Sequence, residues 1–177
     1  SIRLIRYDYS EPGAYFVTIC THGWRCILGS VTGDQVHLSP FGQIVQTVWC
    51  DLPTQYPNVE LDAFVVMPNH FHGILLISGS VPAIQDCGRD HANDPSVGAI
   101  HELPLPIATH NVPLPRHENC DWVTSRRRML LPRLIGRFKM ISAKRINELR
   151  GSRGFPVWQR NYFEHVIRSD KGLERIR

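Results

Sequence analysis

The sequence predicts an α+β fold, one domain in which helices pack against one face of an antiparallel sheet. Short runs of β-forming residues are mixed with longer stretches of helical periodicity. Two of those runs, ELDAFVV and HFHGILLI, are separated only by Met67-Pro68-Asn69, a β-turn-β unit in the middle of the chain. At 177 residues, with 42% hydrophobic and 20% charged residues, the chain suits a globular domain with a proper core.

Each element has a local reason. AYFVTICT (residues 14–21) follows a Glu-Pro-Gly turn and is rich in β-formers, which predicts a first strand. CILGSVTGDQVHLS (26–39) holds a Gly-Asp turn between two short β-like pieces, a hairpin. Ser39-Pro40 then opens a helix, with Ser as cap and Pro at the first helical position. Phe41, Ile44, Val45, Val48 and Leu52 give that helix one apolar face, and Pro53 and Pro57 bracket its end. Glu60–Val66 and His70–Ile77 read as strands, with Pro68 confined to the turn or an edge because it cannot donate to a ladder.

Between residues 78 and 128 the periodicity dissolves. Seven of the thirteen prolines fall between Pro82 and Pro132, the pattern of a long insertion loop. From Leu131 a helix is predicted, with Pro132 near its start. Leu134, Phe138, Ile141, Ile146 and Leu149 lie along one side and Gly151 just past its end. VWQRNYFEHVIR reads as a strand, and Ser169-Asp170 caps a final helix in KGLERIR.

Several function classes drop out early. No apolar run is long enough to cross a membrane, and SIRLIRYDYSEPG lacks the layout of a secretory signal, so a cytoplasmic protein without membrane partners is expected. The five cysteines form no Cys-x-x-Cys pair and are read as free thiols. Charge is uneven: residues 1–120 carry 5 Lys/Arg against 11 Asp/Glu, and residues 121–177 carry 15 against 5. A basic C-terminal third suggests a face for a polyanion. Its candidates are Arg126, Arg127 and Arg128 in a run, Arg133, Arg137 and Lys144 within a narrow arc of the second long helix, and Arg160.

The chemistry centres on VVMPNHFHGILLI (65–77). Strand alternation projects His70 and His72 to one face and turns Phe71 to the other. Two imidazoles side by side on a strand can share one divalent cation and leave its remaining positions open. They can equally be hydrogen-bonded residues bordering a core, since the motif carries no third ligand; of the other seven histidines only His37 and His165 are candidates for that place. Trp158 and Phe163 suit either base stacking or core packing.

VVMPNHFHGILLI, preceded by AYFVTICT and followed by RFKMISAKRINELRG and VWQRNYFEHVIR, resembles the REP-associated tyrosine transposases, single-strand insertion-sequence transposases of the His-hydrophobic-His superfamily. The resemblance covers nearly the whole chain outside 78–128. It implies a ferredoxin- or RRM-like sheet, and a magnesium or manganese ion held by His70 and His72 against a phosphate of single-stranded DNA, at hairpin-forming ends. It further implies cleavage and rejoining through a 5′-phosphotyrosine. That family includes monomers and dimers, so a homodimer is compatible with it. The attacking tyrosine is expected on the C-terminal helix beyond Arg177; Tyr162 is the candidate within the chain, while Tyr7, Tyr9, Tyr15 and Tyr56 have no motif around them. Two alternatives remain open at this level: a non-catalytic module of the same fold that binds single-stranded nucleic acid, and a His-ligated metallohydrolase.

Overall fold

In β1 (Gly13–Cys20) alternate side chains Tyr15, Val17 and Ile19 are fully buried, while Ala14, Phe16, Thr18 and Cys20 turn to the other face and stay half-buried. This computed structural model describes residues 7–79 and 129–177. The hairpin β2 (Gly29–Thr32) and β3 (Gln35–Leu38) forms a separate two-stranded ribbon. α1 (Pro40–Cys50) follows, with the Ser39 hydroxyl accepting from the Gly42 N–H at 3.2 Å. That is the cap expected from Ser-Pro. A short turn of helix, α2 (Leu52–Gln55), leads to β4 (Val59–Met67) and β5 (His70–Ile77). α3 (Leu130–Leu149), β6 (Phe163–Ile167) and α4 (Asp170–Ile176) complete the described elements.

The main sheet has the order β4-β5-β1-β6, antiparallel at every neighbouring pair. With α1 connecting β1 to β4, and α3 lying in chain order between β5 and β6, this is the split βαβ, ferredoxin-like arrangement. The fold is therefore the α+β, ferredoxin/RRM-like antiparallel sheet expected. α1 and α3 cover the face that carries Tyr15, Val17, Ile19 and Phe71. Their contact is aromatic: Trp49 of α1 and Phe138 of α3 lie 4.7 and 5.2 Å from the Phe71 ring. Gly73 makes this possible, because a Cβ there would stand 2.5 Å from Trp49 Cζ2 and 2.9 Å from Phe71 Cε1. Trp49, fully buried, is the largest residue of the α1 face and was not among those picked out by periodicity.

Two expectations need correction. The strand in VWQRNYFEHVIR is confined to residues 163–167; Trp158 makes only an isolated bridge to Thr21. The reason is the Lys139 ammonium, which donates to the carbonyls of Gln159 at 2.6 Å and Arg160 at 3.0 Å, so these carbonyls bind a cation instead of a ladder. Nor do all helices share one face. Arg177, at the end of α4, forms a bidentate ion pair with Asp62, its Nε 2.9 and 3.1 Å and its Nη2 2.6 Å from the carboxylate. Asp62 sits at a bulge of β4 and points away from the α1/α3 side, since Leu61 and Phe64 on either side of the bulge pack into the core. β6 and β4 are opposite edges of the sheet, so α4 runs across its second face. Ile74 and Ile167 on that face are accordingly 2% and 8% exposed although they lie outside the main core cluster. Among the described residues no helix is long and apolar enough to cross a membrane. Of the expected insertion at 78–128, residues 80–128 lie outside the described residues.

Candidate functional site

The part of the second sheet face that α4 leaves uncovered carries the histidine pair. Register fixes its layout: Cys20 stands opposite His70, and Thr18 opposite His72 on one side and Phe163 on the other. Val65 and Met67 of β4 complete the rows beyond His72 and His70. His70 and His72 thus share a face, as strand alternation predicts. Their rings are 4.6 Å apart, centroid to centroid, at 75°.

The Met67-Pro68-Asn69 turn that precedes the pair is pinned at both carbonyls. Pro68 O accepts from Leu28 N at 2.9 Å, and Asn69 O accepts from the backbone N–H and the hydroxyl of buried Thr21 at 3.0 and 2.9 Å. The Asn69 side chain then turns to His70, with Oδ1 2.7 Å from Nδ1. An amide oxygen only accepts, so His70 Nδ1 carries the proton and Nε2 presents its lone pair. His72 is held from β1: Thr18 Oγ1 lies 2.8 Å from its Nδ1, a hydroxyl that can donate or accept there, and the Phe16 ring stacks on it at 5.3 Å and 20°. Burial lowers the pKa of His70. Burial, and then the neighbouring His70, lowers that of His72. Both rings are therefore biased to the neutral form, which is the form that binds a metal. Two anchored imidazoles side by side can serve as a donor pair for one divalent cation.

Among the described residues no group of three or more His, Cys, Asp or Glu side chains is arranged to hold a metal ion. His165 shares the face but pairs with Phe16, two residues along and two strands across from His72. His37 belongs to the separate β2-β3 ribbon. The Cys20 thiol opposite His70 is pushed up in pKa by burial and stays protonated. A cation here would leave most of its coordination sphere to water and substrate oxygens.

The other candidates scatter. Arg133, Arg137 and Lys144 lie on the solvent side of α3, opposite its buried Leu134, Ile135 and Phe138, hence on the far side of the sheet from the histidines. Arg160 is exposed just before β6. Arg126, Arg127 and Arg128 lie outside the described residues. Tyr162 precedes the strand and packs against the core, not beside the histidines. The five tyrosines all pack within or against that core, and burial drives the Tyr15 phenol far above its ordinary pKa. Trp158 is buried, its indole N–H donating to Ser142 Oγ at 2.9 Å, whereas Phe163 is 44% exposed on the histidine face. Asn69, Thr18 and Phe16 are the site residues that sequence reasoning passed over. Asn69 could have been found, being adjacent to His70, but Thr18 and Phe16 required the β1-β5 register.

No family model matches the chain. Among solved structures, a REP-associated tyrosine transposase bound to a REP hairpin aligns with a TM-score of 0.48 and 18% identity, over 99% of this chain and 68% of that one. A Deinococcus radiodurans protein described as a candidate transposase aligns with a TM-score of 0.45 and 16% identity, over 99% of this chain and 92% of that one. Both are distant. A curated relative, an uncharacterized protein of Haemophilus influenzae, is 33% identical over 178 aligned positions spanning 99% of this chain and 82% of its own length. This chain belongs to the family of that Haemophilus influenzae protein.

Proposed function

We propose that the chain is a transposase-like DNA strand-transfer protein that holds a phosphate of single-stranded DNA at His70 and His72 through a Mg or Mn ion. The observation that carries this reading is the pair itself. Two neutral imidazoles, each anchored through Nδ1 by a neighbour, stand on the uncovered part of an otherwise packed sheet. The blocks around VVMPNHFHGILLI, which resemble the tyrosine transposases, supply the substrate class. A bound divalent ion would supply charge neutralisation at a phosphate oxygen. The protein's own part is orientation: Asn69 fixes the His70 tautomer, Thr18 holds the His72 ring through Nδ1, and Phe16 stacked on His72 limits its rotation.

In the reaction the resemblance implies, a tyrosine hydroxyl attacks phosphorus, forming a Tyr–O–P bond and breaking the bond to O3′, with the phenol proton lost to water and one proton taken up from water by the leaving O3′. The products are a 5′-phosphotyrosine and a free 3′-hydroxyl, so rejoining needs no ATP. Since the tyrosines of this sequence all pack on the core side, the nucleophile in this reading comes from outside residues 1–177. The same packing favours a second reading, a non-catalytic module that only binds single-stranded nucleic acid.

One experiment separates them. The protein expressed from its complete reading frame is incubated with labelled single-stranded hairpin DNA and Mn²⁺, then denatured. A covalent adduct that disappears in His70→Ala supports strand transfer. Binding without an adduct supports the module. An adduct undiminished in His70→Ala overturns the site assignment, and absence of single-strand binding overturns both readings.

A further inference from the structure

Phe163 is one of several large apolar side chains left in water among the described residues. A large apolar side chain at the edge of a sheet ordinarily invites burial, yet this one is 44% exposed. Its place in the sheet is specific. Thr18 is the register partner of both Phe163 and His72, and its hydroxyl holds His72 Nδ1. Phe163, Thr18 and His72 therefore form one cross-strand row on one face. Two strand spacings put Phe163 roughly 10 Å from His72 along that row. The segment around it is basic where it is exposed. Arg160 and Arg168 stand in solvent at its two ends, while its one carboxylate, Glu164, is turned to the other face and buried. The backbone before the strand is also held, by the Lys139 ammonium on the carbonyls of Gln159 and Arg160.

We propose that Phe163 is the stacking platform for an unpaired nucleobase of the strand whose phosphate lies at the histidine pair, with Arg160 contacting a neighbouring phosphate. This rests on the reading of the site given above. An exposed aromatic with a guanidinium group near it, in the same row as a phosphate-directed site, is the chemistry that single strands use: every base has a π-face, and every phosphate a charge. A duplex hides its base faces and would gain nothing from Phe163. The expected specificity is thus for unpaired DNA, with little dependence on base identity.

The test is a fluorescence-anisotropy titration of a short fluorescein-labelled deoxyoligonucleotide, single-stranded or annealed to its complement, with and without Mn²⁺. Phe163→Ala should weaken single-strand binding about 5- to 100-fold and leave duplex binding unchanged. Phe163→Trp should bind as well as the parent, and its added indole emission should be quenched by the single strand. Phe163→Leu, which keeps apolar bulk without a π-face, should resemble the alanine variant. Parent-like binding by Phe163→Ala or Phe163→Leu overturns the proposal while leaving the histidine site standing, as does added indole emission in Phe163→Trp that the single strand fails to quench. A change of oligomeric state on sedimentation, with single-strand affinity intact, assigns Phe163 to a protein contact and also overturns it. Failure of the parent protein to bind single strands removes the underlying reading as well.

Discussion

Replacing Thr18 by Val tests whether the histidine pair is a built cation site or two polar residues at the border of a core. The substitution keeps shape and β-branching and removes only the hydroxyl 2.8 Å from His72 Nδ1. What it costs depends on what the pair does. As a structural hydrogen bond between half-buried groups, it contributes about 1 kcal/mol to stability, which for a chain of this size is a fall of roughly 2–4 °C in Tm. As the anchor of a metal ligand, it fixes the ring angle. Loss of such a partner typically lowers metal affinity 10- to 100-fold, or roughly 1.4–2.8 kcal/mol. The ring would still be stacked on Phe16, so affinity should fall without vanishing, in contrast to His72→Ala. Calorimetric titration with Mn²⁺, beside a thermal melt in EDTA, reads both quantities. A Thr18→Val variant that melts a few degrees lower but binds Mn²⁺ like the parent would refute the metal assignment of His72.

Two further perturbations probe the scaffold and the charge state. Gly73→Ala places a Cβ into the Trp49 and Phe71 rings, neither of which has room to retreat. Overpacking of this kind costs about 1–3 kcal/mol, so Tm should fall by roughly 2–12 °C; an unchanged melt would mean that Trp49 does not seat on β5 as described. Both histidines have folded-state pKa values lowered from their ordinary one, so the unfolded chain takes up protons first as pH falls. The stability they contribute is fully present above about pH 6.5 and is lost as pH drops through their folded values. Urea melts in EDTA at neutral and mildly acidic pH should show this loss in the parent and a smaller one in His70→Gln/His72→Gln. Equal slopes in the two proteins would contradict it.

Local chemistry was readable in advance wherever neighbours in sequence settle it. Ser39-Pro40 announces a helix start because a hydroxyl three residues before an N–H can cap it, and the cap is there. Alternation puts His70 and His72 on one face whatever the rest of the chain does. The Gly-Asp hairpin and the long α3 follow from turn chemistry and period in the same way. VWQRNYFEHVIR shows the limit. Its β-formers predict a longer strand than the five residues that pair, because Lys139, some twenty residues away, takes the carbonyls a ladder would need.

Everything that depends on which strands are neighbours had to come from the tertiary structure. The order β4-β5-β1-β6 sets Thr18 beside His72 and Phe163 beyond it, contacts between residues more than fifty positions apart. The same order separates what composition had grouped. The Arg133, Arg137 and Lys144 arc is genuinely one stripe, but α3 packs on the far face and turns it away from the histidines. Periodicity tells which side of an element is apolar; only packing tells which side of the sheet that element covers. Trp158 and Phe163 were indistinguishable as stacking candidates in the sequence, since both are aromatic and five residues apart. Register and burial send one into the core beside Phe138 and leave the other in water in the row of His72.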